Sequence, residues 1–256
     1  LIIRESVQMT RFVRLLFGAL FVVGIAGCAS TPRSVSEIES AALKRVGVIS
    51  VVAQEFHRGY TGFTVFGNEY ESVDIASWNI DAEYEKQIGE ALREIGKTAV
   101  LIDVDRKDFL PAQLPNGPYE APAFNTPRWE AIAQATKRIA AKEQLDGLIV
   151  VVRRISPDFL ARTNQSFRGT GYYARGFGDA TRISVAHVMG FVGLLNGNSG
   201  AVAAMSTLQM IEQISPDEAR QSLAKIDAAQ RENIRQKFIA LPRGYWERSV
   251  RDLFGR

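Results

Sequence analysis

The sequence predicts an α/β domain of three layers: a mixed sheet, with a parallel core plus an antiparallel hairpin, between flanking helices. Three observations predict it. Short apolar, β-branched runs alternate with amphipathic helical patterns, in the order strand, helix, strand, helix, strand. That alternation requires parallel strands with right-handed crossovers. Two long apolar runs then follow, separated by a short Asn/Gly/Ser turn, which is the pattern of a hairpin added antiparallel to the sheet. No later segment holds the ~20 uninterrupted apolar residues of a membrane helix.

The elements follow in order. Arg45–Ala53 is nearly all apolar, as in a strand covered on both faces. Residues 56–76 alternate aromatics with Gly, Thr and Asn, and Gly67-Asn68 suits a turn between two exposed strands. Asp81 is placed to cap a helix running to Ile95, with Tyr84, Ile88, Ala91, Leu92 and Ile95 on one face and Gly96 as its stop. Thr98–Val104 reads as a second buried strand. The five prolines Pro111, Pro115, Pro118, Pro122 and Pro127 mark residues 106–127 as a long irregular connection. Thr126 and Pro127 form a cap and first-turn pair opening a second helix. Its stripe is Trp129, Ile132, Ala133, Thr136, Ile139 and Ala140, and Leu148–Val152 is the third strand.

Beyond Arg153 the pattern changes. Residues 164–179 are rich in Gly, Tyr and Arg and read as exposed. Thr181–Leu195 and Ala201–Gln213 read as strands joined by residues 196–200. Ser215-Pro216-Asp217-Glu218 has the form of a capping box with proline at the first helical position. The helix it opens should run toward Ala240, with a break near Asp227. Pro242 and Gly244 interrupt, and Tyr245–Phe254 gives a last amphipathic segment. The element order is similar to that of α/β domains of envelope proteins such as the amino-terminal domain of TolB and the curli secretion lipoprotein.

The N-terminus carries the clearest chemical signal. Arg11 and Arg14 precede an apolar run, Leu15–Gly27, which is too short to cross a bilayer. Small residues Ala26 and Gly27 then stand directly before Cys28, the only cysteine of the chain. This is a signal-peptide pattern, and Ile25-Ala26-Gly27-Cys28 resembles the lipobox of bacterial lipoproteins. The resemblance implies a diacylglyceryl thioether on Cys28, cleavage between Gly27 and Cys28, and acylation of the new amine. It divides the chain into a signal peptide (1–27, with Met9 a plausible start), a lipidated tether (28–43) and a single α/β domain (44–256). Ala29 and Ser30 follow the cysteine; the family's sorting rule associates an aspartate there with inner-membrane retention. Its absence implies an outer-membrane address facing the periplasm, in a cell with two membranes.

The whole chain carries a formal charge of +3. Without residues 1–27, which hold Arg4, Arg11, Arg14 and Glu5, 28 basic and 27 acidic residues remain. So balanced a surface gives no electrostatic case for nucleic acid. With Cys28 consumed by lipid, no thiol or disulfide is left to the domain, and its stability must come from its core.

Candidate sites downstream are few. Asp103, Asp105 and Asp108 follow the apolar run Ala99–Ile102, at the strand end where open α/β sheets place ligands. Asp103 and Asp105 share a strand face and suit a hard cation. The segment resembles the aspartyl-nucleophile loop of haloacid-dehalogenase phosphatases, but Lys107 stands where that family has Thr or Val. A solvated strand end neutralised by Arg106 and Lys107 is the favoured reading. With only His57 and His187 in the chain, a His-rich metal site is excluded and a triad would need one of the two. His57 falls in the exposed hairpin and His187 in an apolar strand. Gly169-Thr170-Gly171 and Gly176-Phe177-Gly178 lack the strand-before, helix-after context of a phosphate loop. Tyr172, Tyr173, Arg175 and Phe177 could instead form a partner surface, and Arg168, Arg175 and Arg182 could meet anionic groups. The hairpin 181–213 could pack on a partner or lie buried under the C-terminal helix.

The sequence therefore leads to a lipid-anchored envelope protein that binds or scaffolds an envelope partner, with no cofactor or metal expected. Two alternatives stand beside it: a metal-assisted hydrolase using Asp103 and Asp105, and an oligomeric secretion or assembly component built on the hairpin.

Overall fold

One strand, β9 (Ala180–Asn196), organises the sheet because two others share its edge. Its first half pairs antiparallel with β8 (Thr170–Phe177), and its second half with β5 (Gly147–Arg153). β10 (Val202–Gln213) runs antiparallel along its opposite edge. The full order is β3-β2-β8-β9-β5-β1-β4, with β10 paired to β9 outside that path. Here β1 is Arg45–Ser50, β2 Glu55–Thr61, β3 Glu69–Asp74 and β4 Thr98–Leu101. β1 is parallel to both β4 and β5, and β2 is parallel to β8. The computed structural model describes residues 34–62, 64–103, 105–109, 127–177 and 180–256. These fall in the unit Pro32–Arg256.

β5 and β8 are two parts of one interrupted strand. The chain leaves the sheet at Arg154, forms the hairpin β6 (Ile155–Pro157) and β7 (Ser166–Arg168), and re-enters at Gly169, whose φ is +47°. The seam is closed by Arg154 N–H to Met189 O (3.0 Å), Met189 N–H to Gly169 O (2.8 Å) and Gly169 N–H to Arg154 O (3.1 Å). β1 and β2 are interrupted in the same way, by residues 51–54.

The helices are α1 (Glu37–Ala42), α2 (Ile80–Glu94), α3 (Pro127–Glu143), α4 (Pro216–Arg220), α5 (Ala228–Ala240) and α6 (Arg243–Leu253). Strand alternation divides the core. Ala186, Val188, Val192 and Leu194 of β9 join the cluster built with α2, α5 and α6. Phe191 and Leu195 face α3 through Trp129 and Ile132, while Val185 and Met189 meet Phe167 of β7 and Tyr173 of β8. The result is the mixed-sheet, three-layer α/β fold, with the parallel core, the antiparallel hairpin and the flanking helices that the sequence predicts.

Several elements differ from expectation. Residues read as tether fold onto the domain: Ser36 and Glu39 make a reciprocal capping box for α1, Val35 and Leu43 are buried, and Val35 N–H donates to Leu253 O at 3.1 Å. β2 is buried rather than exposed, because β8 pairs along its far side. β8, read as an exposed Gly/Tyr/Arg segment, is an interior strand with Tyr172 and Tyr173 buried. β4, read as buried, is the sheet's edge, and Leu101 there is 53 % exposed. The long C-terminal helix breaks as its sequence implies, and Asp227 caps its second part with a full capping box. At Ser215 only half the box forms: its hydroxyl accepts from Glu218 N–H, while the Glu218 carboxylate accepts from Tyr172 and Lys237 instead.

The interior place of β8 depends on Gly171, which lies level with His57 of β2 and His187 of β9. A Cβ at 171 would collide with the His57 carbonyl oxygen, a backbone atom that cannot turn aside. Gly171→Ala should therefore cost about 3 kcal/mol and lower the melting temperature by roughly 6 to 12 °C. Gly59→Ala, whose methyl meets only the Tyr173 ring at 3.6 Å, should be nearly neutral. Equal melting temperatures for the two variants would contradict the tight β2–β8 approach.

Candidate functional site

The crevice where open α/β sheets hold ligands lies beyond the C-terminal end of β1. In this chain it is filled. Asn79 takes the left-handed conformation (φ +54°) at the start of α2, without a side-chain cap bond. Asp81, expected to cap that helix, instead turns inward and is 4 % exposed. Its carboxylate accepts from Ser50 Oγ (2.5 Å), Val52 N–H (3.1 Å), Ala53 N–H (3.2 Å) and Gln54 Nε2 (2.6 Å). One turn on, Glu85 accepts from Ser50 N–H at 2.8 Å and from Arg106 Nη2 at 2.8 and 2.9 Å. Burial pushes both carboxyls above the usual carboxylate range, although their donors pull the other way. With these oxygens occupied by backbone and side-chain donors, the pair acts as a clamp on the β1–β2 turn.

Asp103 and Asp105 do not assemble a site with that pair. They follow the edge strand β4, not a central strand, and both are exposed. The backbone of Asp108 falls in the short 3-10 turn Arg106–Phe109. Arg106, read as neutralising these aspartates, pairs with Glu85. Among the described residues, no three His, Cys, Asp or Glu side chains gather as a metal would need.

Both histidines lie on one face of the sheet, flanking Gly171. His57, expected in an exposed hairpin, is 5 % exposed, and His187 is 2 % exposed. His57 Nδ1 is 2.5 Å from Tyr70 OH on the neighbouring strand β3. Its Nε2 lies 3.4 Å from Glu55 Oε2, a contact without hydrogen-bond geometry. Arg153 Nη1 holds the same Glu55 oxygen at 2.5 Å, and the Arg168 guanidinium sits 5.0 Å from the centre of the Tyr70 ring. His187 Nδ1 lies 3.2 Å from Gly169 O, and Phe167 meets the ring edge-on at 5.1 Å. Burial, then repulsion from Arg153, from His187 when it is protonated and from Arg168, push His57 down to about 3. Burial alone pushes His187 down to about 4. The Tyr70 phenol is raised by burial, so the network presents a neutral imidazole and a neutral phenol.

This network can hold and orient a proton between the Tyr70 hydroxyl and the His57 imidazole, with the Glu55–Arg153 ion pair beside the ring. Tyr70 is its half-exposed member. Sequence reasoning missed Glu55, Tyr70 and Arg153; the signal that could have found them is alternation, since Glu55 and His57 share a face of β2, and Tyr70 sits opposite Gly59. Tyr172 and Tyr173 are not a partner surface: their hydroxyls donate to Glu218 and Asp158. Arg175 Nη1 donates to Ala161 O, and the Arg182 side chain and residues 25–28 lie outside what is described. A solvent-open depression of about 480 Å³, lined by Asp217, Glu218, Arg220, Gln221 and Gln230, lies at the start of α4.

No family model matches this chain. No curated protein matches it either. Among solved structures, it is similar to the PelC dodecamer from Paraburkholderia phytofirmans, at 9 % identity and a TM-score of 0.35, over 88 % of this chain and 96 % of that one. Lipoprotein GNA1162 from Neisseria meningitidis gives 10 % identity and a TM-score of 0.31, over 77 % of this chain and 95 % of the other. The hypothetical protein CT253 from Chlamydia trachomatis gives 12 % and 0.31, over 84 % and 95 %. At these scores no residue role, partner or assembly passes to this chain.

Two outcomes follow from the buried charges. Asp81→Ala leaves the neutral donors of the β1–β2 turn unpaired, at about 1 to 3 kcal/mol for each group that water cannot reach, read from denaturant unfolding; a total cost under about 1 kcal/mol would mean the clamp is dispensable. The histidines give a pH signature. Unfolded, both rings titrate near 6.5; folded, they titrate near 3 and 4. Between those limits the unfolded chain binds more protons. Their contribution is therefore complete above pH 6.5 and declines as pH falls toward 4 and 3, by up to about 1.4 kcal/mol per ring and pH unit. Asp81 and Glu85 oppose this, since carboxyls raised in the fold favour it as pH drops. In NMR spectra neither histidine ring should shift between about pH 8 and pH 5; a midpoint near 6.5 for either would contradict its burial.

Proposed function

We propose that this chain is a lipid-anchored protein of the bacterial cell envelope whose α/β domain binds or scaffolds other envelope components. The observation that carries the reading is Ile25-Ala26-Gly27-Cys28 behind the apolar run Leu15–Gly27 and the arginines Arg11 and Arg14. Lipid on Cys28 tethers the domain outside the cytosol, on the periplasmic face of an outer membrane where the cell has one. Each buried methylene contributes about 0.8 kcal/mol, and stable anchoring takes more than one chain. A diacylglyceryl group with an amide-linked acyl chain meets that need.

The fold gives the tether a definite reach. Val35 is buried and bonded to Leu253, seven positions after Cys28 in the sequence. Seven residues span at most about 25 Å when extended. That length limits how far the domain can stand from the bilayer. A binding role also suits the polar groups present, which are spent on one another: Asp81 and Glu85 on the β1–β2 turn, His57 on Tyr70.

Mass spectrometry of the native protein should find Cys28 at the N-terminus, carrying the diacylglyceryl and acyl groups. Cys28→Ser should move the protein from the membrane pellet to the soluble fraction. Recovery of a soluble native protein that keeps residues 9–27 and a free Cys28 thiol would sink the proposal.

A further inference from the structure

Among the described residues, no strand pairs with the outer edge of β10. In a strand, N–H and C=O of one residue point the same way, and successive residues alternate. Arg154 N–H donates to Met189 O and Met189 N–H to Gly169 O, which places the odd-numbered residues of β9 toward β5 and β8. The even-numbered residues of β9 therefore face β10, where their register partners are Ala204, Ser206, Leu208, Met210 and Glu212. Ile214 N–H donates to Ser184 O at 3.0 Å in the same phase. Met205, Thr207, Gln209, Ile211 and Gln213 consequently direct both backbone groups away from the sheet. Among the described residues β10 pairs with β9 alone.

The sheet's other outer strands carry the devices that keep edges apart. β3 bears Glu69, Glu71 and Asp74 in six residues, and β4 is only four residues long. β10 runs for twelve residues with a single charge, Glu212, and no proline. Its one irregularity, a register shift between Val202 and Ala204, lies before Met205 and leaves the rest straight. Such an edge selects an extended strand as its occupant. An edge with so little charge offers little to a partner chosen by charge; the cation that reaches it is Arg154, whose Nη2 donates to Gln209 Oε1 at 3.4 Å.

We propose that two copies of this chain join through their β10 strands, antiparallel about a two-fold axis. The register that uses every outward residue sets Met205 against the partner subunit's Gln213, Thr207 against the partner's Ile211, and Gln209 against the partner's Gln209. Two sheets then become one. This names a partner for the binding reading above and rests on it, since a short lipid tether confines copies to one plane and raises their local concentration.

The test uses the full chain in envelope membranes. At a hydrogen-bonded pair on the axis the Cα atoms lie about 5.5 Å apart, within disulfide range. Gln209→Cys should therefore yield a covalent dimer on mild oxidation. The wild type, whose only cysteine is Cys28, and Glu90→Cys on the exposed face of α2 should not. In detergent, light scattering should give the wild type the mass of two copies at micromolar concentration. Gln209→Lys places two ammonium groups on the axis and should weaken dimerisation about tenfold or more, whereas Gln209→Ala, which gives up the same bond from Arg154, should dimerise like the wild type. A monomeric wild type, a mass above two copies, or cross-linking no greater at 209 than at 90 would overturn the two-fold assembly. Mass spectrometry of Cys28 separates the two ideas: dimers with an unmodified cysteine would defeat the anchoring reading and leave this one standing.

Discussion

The shared edge of β9 is the constraint on which the rest of the sheet depends. A strand of seventeen residues offers more backbone bonds along one side than either β5 or β8 can satisfy. The chain meets this by supplying both, one after the other, and pins the change-over at Met189. Because β1 pairs with β5 and β2 with β8, the same division passes to the next pair of strands. The break at residues 51–54 is thus the counterpart of the excursion at 154–169. Each needs local compensation for the backbone groups it frees, and Asp81 supplies it at the first. The φ > 0 backbone of Gly169 lets the chain re-enter the sheet at the second.

That geometry explains which parts of the fold are legible in the sequence. β1, β5, α2 and α3 carry periodic apolar patterns, and the hairpin β9–β10 carries a recognisable turn, so their identity follows from local chemistry. The order of strands does not. Thr98–Leu101 is apolar enough for an interior strand, yet β4 ends the sheet, because nothing local states which neighbour is missing. Residues 170–177 look solvent-exposed because Tyr and Arg usually are. Here their polar ends meet acceptors far away in sequence: Tyr172 at Glu218, Tyr173 at Asp158, Arg175 at the Ala161 carbonyl. β2 conceals itself in the same way. Arg58 is buried against Glu69 and Glu71, and Glu71 also accepts from Leu223 N–H. Burying a charge costs little only when its partners are in place, and such partners are tertiary facts.

Asp81 shows the same competition at one residue. Aspartate at the head of a helix is locally a cap, a role usually worth about 1 kcal/mol. The interior offers it four bonding partners, two of them backbone N–H groups that would otherwise be buried unpaired. Those losses are larger, about 1 to 3 kcal/mol for each stranded group, so the tertiary role wins and Asn79 opens the helix uncapped. The rule that ligands gather beyond the strand ends points to Asp103 and Asp105. The rule located a polar centre, but it is Asp81 with Glu85, and not Asp103 with Asp105.

Filling that crevice has a consequence for where function can reside. In an open α/β sheet the strands stop, and their freed ends leave a hollow between helices. In this chain β1 and β5 continue, after a short break, into β2 and β8, so the hollow is occupied by the chain itself. The buried carboxylates beside it, Asp81 and Glu85, already hold N–H groups and the Arg106 guanidinium. What stays available is peripheral: the half-exposed Tyr70 beneath Arg168, and the backbone of the outermost strands. A strand edge needs no cavity to recognise an extended chain, because backbone pairing supplies the contacts.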